Sequence, residues 1–232
     1  MDGGVFRKGG IDAGVLGFVH DMKAPISLVR QLGLSLNMEM SELERGEVAR
    51  EIVATSERAL QQVTDLLKVA RLDGAMFEVE PVSVRGVVES AVRGAEGYFA
   101  SSDGRVRRRV SGKTRLVSAN RELLGSVLGN FLTNAAKHSE EAEVSVREVG
   151  GRVRIAVRDF GPGVSEGVFR AVNAGVCEPF VVATRPGSSG IGLYVASRFA
   201  EFMNGRIGVV RHRDGAEFFV DLLPSSQMGL GL

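Results

Sequence analysis

Apolar positions between residues 13 and 72 recur at helical spacing. Val15, Leu16, Val19, Met22, Ile26 and Val29 fall at i, i+3, i+4 and i+7, which predicts an amphipathic helix from about Ala13 to Met40. Polar Ser41 to Gly46 interrupts the pattern, and a second helix is expected from near Glu47, its stripe running through Val48, Ile52, Thr55, Ala59, Gln62, Val63, Leu66, Leu67 and Ala70. Two helices with a short turn lie antiparallel, and one hairpin cannot cover both stripes. Two hairpins can, by packing as a four-helix bundle, so the pattern implies a homodimer.

After Leu72-Asp73-Gly74 the period changes. Met76 to Val79, Val106 to Val110, Leu116 to Ser118, Val144 to Val149 and Val153 to Arg158 read as strands. They alternate with helices at Ser83 to Glu96, Arg121 to Lys137, Glu166 to Asn173 and Ile191 to Met203. Gly150-Gly151 suits a tight hairpin turn, and a final hairpin from Arg206 to Leu222 is expected to turn at Asp214-Gly215. The expected organisation is a glycine-bearing leader over 1–11, an all-α hairpin over 12–74, an α/β (α+β) sandwich over 75–223 and a tail over 224–232.

Composition narrows the functional classes. The apolar fraction of 44% is that of an ordinary globular protein, and 29 Lys and Arg nearly balance 28 Asp and Glu, so no global field attracts nucleic acid or an anionic membrane. Phosphate binding, if any, is local. The lone Cys177 cannot form an internal disulfide, and no signal peptide or run of about 18 apolar residues appears, so a cytoplasmic protein without a membrane segment is expected.

Four stretches carry candidate chemistry. In the first helix His20 borders the apolar stripe, Asp21 follows it, and Pro25 removes a backbone hydrogen bond just beyond, so a bend is expected there. A partly buried structural histidine is the plainer alternative. In the helix from Arg121, Asn130 and Asn134 share a face with Lys137 a turn further on; amide oxygens can complete a magnesium shell and the lysine can meet phosphate. Arg158-Asp159-Phe160-Gly161-Pro162-Gly163 ends a strand in an acid that can accept from an exocyclic amine, with glycines that let backbone approach a planar ring. Gly187-Ser188-Ser189-Gly190-Ile191-Gly192-Leu193 opens a helix, whose first amides attract anions, and Ser188 or Ser189 could add hydroxyl bonds.

In this order and at these gaps, the last three stretches resemble the N box and two glycine boxes of histidine kinases and of the wider GHKL ATPase superfamily. His20-Asp21-Met22-Lys23-Ala24-Pro25 is similar to the phosphoacceptor (HisKA) box of sensor histidine kinases. Glu178-Pro179-Phe180 looks like the short phenylalanine-bearing box between the glycine boxes, and His138 stands where an aromatic residue often ends the N box. The resemblance covers residues 12 to 222. It implies that Asp159 reads adenine, Asn134 holds Mg2+ through ATP, Asn130 and Lys137 contact phosphate, and Gly161, Gly163, Gly190 and Gly192 are the box glycines. It further implies that His20, assisted by Asp21, takes the γ-phosphoryl group of ATP and passes it to an aspartate on the receiver domain of a response regulator. The residue four beyond the histidine, commonly threonine or asparagine in the family, is Ala24 here, so weak phosphatase activity is expected.

Two other classes compete: a GHKL ATPase or serine kinase in which His20 is incidental, and a non-enzymatic phosphotransfer scaffold with a degenerate site. The first lacks a dimerisation hairpin, and intact Asn134, Asp159 and glycines count against the second. Arg105, Arg107, Arg108 and Arg109 lack interleaved aromatics and read as a solvated strand edge rather than a nucleic-acid patch. Cys177, in the expected ATP lid, reads as a small hydrophobe before a redox switch.

Overall fold

The structure is a computed structural model that describes residues 13–37, 39–72, 76–100, 104–110, 116–178, 182 and 190–225. Two helices open the chain, α1 (Ala13–Ser35) and α2 (Glu42–Ala70). α1 carries Pro25 inside it and ends earlier than its periodicity predicts. The Asn37 side chain accepts from the amides of Glu39 (2.9 Å) and Met40 (3.2 Å), a local turn that competes with helix. The stretch expected to separate the helices is instead the first turn of α2. The Ser41 hydroxyl accepts from the Glu44 amide (3.3 Å), and the Glu44 carboxylate accepts from the Ser41 amide (2.8 Å). That reciprocal cap starts the helix at Glu42 and leaves Gly46 inside it.

The remaining elements are β1 (Glu80–Ser83), α3 (Val84–Ala100), β2 (Arg105–Val110), β3 (Leu116–Ala119), α4 (Arg121–His138), β4 (Glu141–Val149), β5 (Arg152–Asp159), α5 (Glu166–Asn173), α6 (Ile191–Phe202), β6 (Arg206–His212) and β7 (Gly215–Leu222). Five strands form one sheet in the order β2-β4-β5-β7-β6, parallel between β2 and β4 and antiparallel elsewhere. A second sheet pairs β1 with β3, and Pro224 and Ser225 extend it along β3. The strand expected at Met76 to Val79 is displaced to Glu80–Ser83. Phe77 instead packs edge-on against Phe202 of α6, with ring centroids 6.2 Å apart.

Helices and sheet form an α/β sandwich. Leu123, Leu124, Val127, Leu128, Phe131 and Leu132 give α4 a wholly apolar inner face. It packs against Ile155 of β5 and Phe218 and Val220 of β7 in one continuous core. Period-two alternation buries Val153, Ile155, Val157 and Asp159 on the same side of β5, so the acid ends the inward row. The outward row bears arginines paired across strands, with Arg154 donating to both carboxylate oxygens of Asp221 (2.7 and 2.9 Å) and lying over the Phe219 ring. Both Gly150 (φ 56°) and Gly151 (φ 75°) take positive φ, as a two-residue turn between β4 and β5 requires. The last hairpin turns at Arg213-Asp214 rather than Asp214-Gly215, because Gly215 already pairs with His212.

Candidate functional site

α4 is the element on which the candidate residues converge. Asn120 caps it, its side chain accepting from the amides of Glu122 and Leu123 (both 3.1 Å), and the apolar face then fixes its roll on the sheet. Asn130 and Asn134 are half-buried at the edge of that face, while Lys137 is exposed in the last turn. Asn130 donates through Nδ2 to the Ser126 carbonyl (3.0 Å), which orients its Oδ1. The N-terminus of α6 rests there: a Cβ on Gly192 would lie 2.8 Å from Asn130 Oδ1. Gly190 caps α6 in the left-handed region (φ 75°) with no side-chain hydrogen bond, so the helix end offers main-chain amides, the kind of donor that can meet an anion. Ile191 and Leu193 are in the core, so only their backbone can face a nucleotide.

The second glycine segment closes on the other end of the same helix. A Cβ on Gly161 would come within 2.5 Å of the His138 carbonyl oxygen, and one on Gly215 within 2.1 Å of the Asp159 carbonyl oxygen. Gly163 has a φ of 76°. Between these backbones Asp159, 5% exposed, accepts at Oδ1 from the amides of Gly161 (3.0 Å) and Ala216 (3.3 Å). Its second oxygen takes no protein donor among the described residues. An acid held by backbone on one oxygen, with the other open, is built to accept from a ligand amine. Gly215 and Ala216 are absent from the expected set, although a glycine after the turn residue Asp214 was a visible signal of close approach.

His20 and Asp21 belong to α1, and their side chains lie outside the described residues. Phe180, Ser188 and Ser189 also lie outside the described residues, as does the expected domain boundary at 73–75. One turn beyond His20, Ala24, Pro25 and Leu28 line a cavity of about 890 Å³ between the hairpin and the α/β half, whose opposite wall includes Asn130, Thr133 and Lys137. Cys177 is buried, and burial pushes its thiol above the ordinary value, the Ser197 hydrogen bond opposing and Glu201 adding to that. It packs as a small hydrophobe. Arg105 and Arg107 pair with Glu141, and Arg109 with Glu143 at 3.8 Å, along the β2 edge.

The donors fit a nucleotide carried with a divalent cation. Among the described residues no group of three or more His, Cys, Asp or Glu could hold a metal ion; the amide oxygens of Asn130 and Asn134 are of the neutral kind that can complete a magnesium shell. Glycine at 161 and 192 lets these two backbones close on α4, at His138 and Asn130, where a Cβ would collide. No helix among the described residues is long and apolar enough to cross a membrane.

Comparison with known proteins agrees with this geometry. Residues 119–227 match the family described as histidine kinase-, DNA gyrase B-, and HSP90-like ATPase. The chain is 31% identical over 208 residues to the sensor protein KdpD of Mycobacterium tuberculosis, covering 81% of this chain and 23% of KdpD. It is 27% identical over 225 residues to the alginate biosynthesis sensor protein KinB of Pseudomonas aeruginosa, covering 90% of this chain and 36% of KinB. Thus it spans well under half the length of these relatives. Among solved structures, full-length ShkA in complex with AMPPNP superposes with a TM-score of 0.61 at 24% identity, over 91% of this chain and 46% of ShkA. Histidine kinase ThkA in complex with the response regulator protein TrrA gives 0.64 at 14% identity, over 89% of this chain and 60% of ThkA. These two likenesses establish the fold.

Proposed function

We propose, for a chain whose residues 119–227 match the histidine kinase-, DNA gyrase B-, and HSP90-like ATPase family and whose relatives include sensor histidine kinases, that it is the catalytic core of an ATP-dependent protein-histidine kinase. Residues 12–74 serve as the acceptor hairpin and residues 75–223 as the nucleotide domain. The single observation carrying this is the closure of both glycine segments on α4, Gly192 against Asn130 and Gly161 against His138, behind a helix that bears a histidine.

ATP is the phosphoryl donor. Asp159 accepts from the adenine amine, its fixed Oδ1 keeping the open oxygen in place. Asn130, Lys137 and the α6 amides at Gly190 and Gly192 seat the phosphates, and His138, Ser188, Ser189 and Phe180 complete the surround. Asn134 holds Mg2+, which neutralises charge on the phosphates. A neutral His20 ring nitrogen attacks the γ-phosphorus with its lone pair, the bond to the bridging oxygen breaks, and ADP leaves with that electron pair. Asp21 keeps the proton on the other ring nitrogen. Positioning and electrostatics supply most of the catalysis in such transfers. The phosphoryl group then passes to an aspartate of a response regulator, which the pairing of ThkA with TrrA supports.

Two copies assemble through α1 and α2, whose Val19, Ile26, Leu34, Leu43, Val53, Leu60 and Leu67 are exposed in the single chain. Ala24 has no donor or acceptor with which to orient a water beside His20, so phosphatase activity toward the regulator is weak. Incubation with γ-labelled ATP tests the assignment. Label that survives alkali and is lost in acid is expected; label stable to acid, or none, would refute a histidine kinase.

A further inference from the structure

Two of the three fully buried residues of α2 are polar. Its three buried residues are Thr55, Asp65 and Val69, while Val53, Leu60 and Leu67 face outward. Asp65 is 5% exposed and 61 positions from the α4 residue it touches. A carboxylate that far from water needs donors, and Asp65 Oδ1 collects three: the Gln61 amide at 2.9 Å, the Lys68 ammonium at 3.5 Å and the Ser126 hydroxyl at 3.0 Å. Two of these come from α2 itself; the third crosses to α4. A second contact runs beside it, Lys68 reaching Glu122 of α4 at 2.8 Å.

Ser126 is bonded at both ends. Its hydroxyl serves Asp65, and its carbonyl holds the Asn130 amide at 3.0 Å, the same amide whose oxygen lies against Gly192. The hairpin is therefore joined to the turn of α4 that precedes the candidate phosphate-contacting residue. A buried charge with directional bonds also specifies one docked register, because sliding α2 along α4 would strand the carboxylate without its third donor.

We propose that Asp65 is a positioning residue for the phosphoryl transfer, acting through Ser126 to hold the acceptor hairpin and the nucleotide helix in one register. It rests on the kinase reading above. Asp65 touches neither nucleotide nor His20 in this role; it sets where one stands relative to the other. Removing the bond leaves each half intact and misaligns them, so the turnover step suffers while nucleotide affinity does not.

The test measures initial rates of His20 phosphorylation by the full chain against ATP concentration, for wild type, Asp65→Ala, Ser126→Ala and the double variant, with ATP affinity by calorimetry. Misplacement of reacting groups is costly, so kcat should fall about tenfold or more in each single variant while KM and the dissociation constant stay within about twofold. The double variant should be no slower than the worse single one, since both break one contact. Wild-type kcat in either single variant, a loss expressed in KM or affinity instead, or losses that multiply in the double variant would each overturn the proposal. If Asp65→Ala does not fold, Asp65→Asn replaces it under the same criteria, and Ser126→Ala tests the contact from the other helix. Wild type that binds ATP but forms no phosphohistidine would refute the kinase assignment itself, and the positioning role with it, and is told apart because the variants are then never reached.

Discussion

α2 and α4 are both long helices of one chain, and they solve the problem of an apolar stripe in opposite ways. α4 buries seven residues, all apolar, under a sheet supplied by the same chain. α2 leaves Leu43 71% and Leu60 65% exposed and buries an aspartate. Roughly 25 cal/mol is gained per Å² of apolar surface removed from water, and α4 has collected that gain while α2 has not. Leu60 and Leu67, two turns apart on one face of α2, and Val53 a further two turns back leave an apolar stripe in water. The α/β half is thus closed by its own residues, whereas the hairpin leaves an apolar stripe uncovered, which the proposed dimer would bury, and meets the α/β half through the polar contacts of Asp65 and Lys68. An interface made of a few directional bonds gains little from area but fixes one register, because sliding would leave the buried carboxylate without its Ser126 donor.

The largest expected effect separates the halves by their tasks. His20→Gln should abolish phosphorylation and leave ATP affinity unchanged in calorimetry, since Asp159, Asn130 and the glycines all lie in the other half. Equal loss of both in a folded variant would erase the contrast. Next come two substitutions read together. Phe131→Ala, in a core where the ring is 1% exposed and lies 5.9 Å from Phe218, should cost about 3–5 kcal/mol in denaturant unfolding, independent of protein concentration. Leu60→Asp with Leu67→Asp should convert a dimer into a monomer in sedimentation without weakening nucleotide binding. A monomeric wild type, or a variant that remains dimeric, would show that the exposed stripe has another purpose.

Asp159→Asn sharpens the comparison on the catalytic side. An amide in that position can turn a donor toward the ligand amine, and ATP binding should weaken by on the order of 1–3 kcal/mol in calorimetry. Unchanged affinity would mean that Asp159 does not read the base. The smallest effect belongs to the hairpin. Ala24→Thr should gain measurable dephosphorylation of a purified phosphorylated regulator in the presence of ADP. The wild type should show little, even in a His20→Ala background where back-transfer is impossible. Rapid decay with Ala24 in place would remove the methyl group as the cause.

Much of the architecture was legible because it is written in local periods. The bounds of α5 and the start of α4 coincide with the positions their periodicity predicts, and the structure shows Ser165 and Asn120 capping them there. The candidate residues on α4, at the end of β5 and at the head of α6 were likewise visible as residue types at fixed offsets. Ser41 was misjudged because a polar stretch looks like a break whether it is a loop or a capping box, and only the bond between Ser41 and Glu44 distinguishes them. β1 was misplaced because Phe77 is apolar for the sake of Phe202, far along the chain, and not for a strand.

By itself the sequence determined most of the helices and strands, though not the ends of α1 and α2 or the place of β1, and the periodic faces of those elements, because these follow from a residue and its near neighbours. Only the tertiary structure decided that Gly161 and Gly192 close on the same helix, that Ala216 helps fix Asp159, and that Asp65 lies inside while Leu60 lies outside. The physical reason is that the hydrophobic effect has no direction: periodicity gives a stripe its phase, but the surface that covers it is chosen by shape and by the donors and acceptors that must be satisfied there.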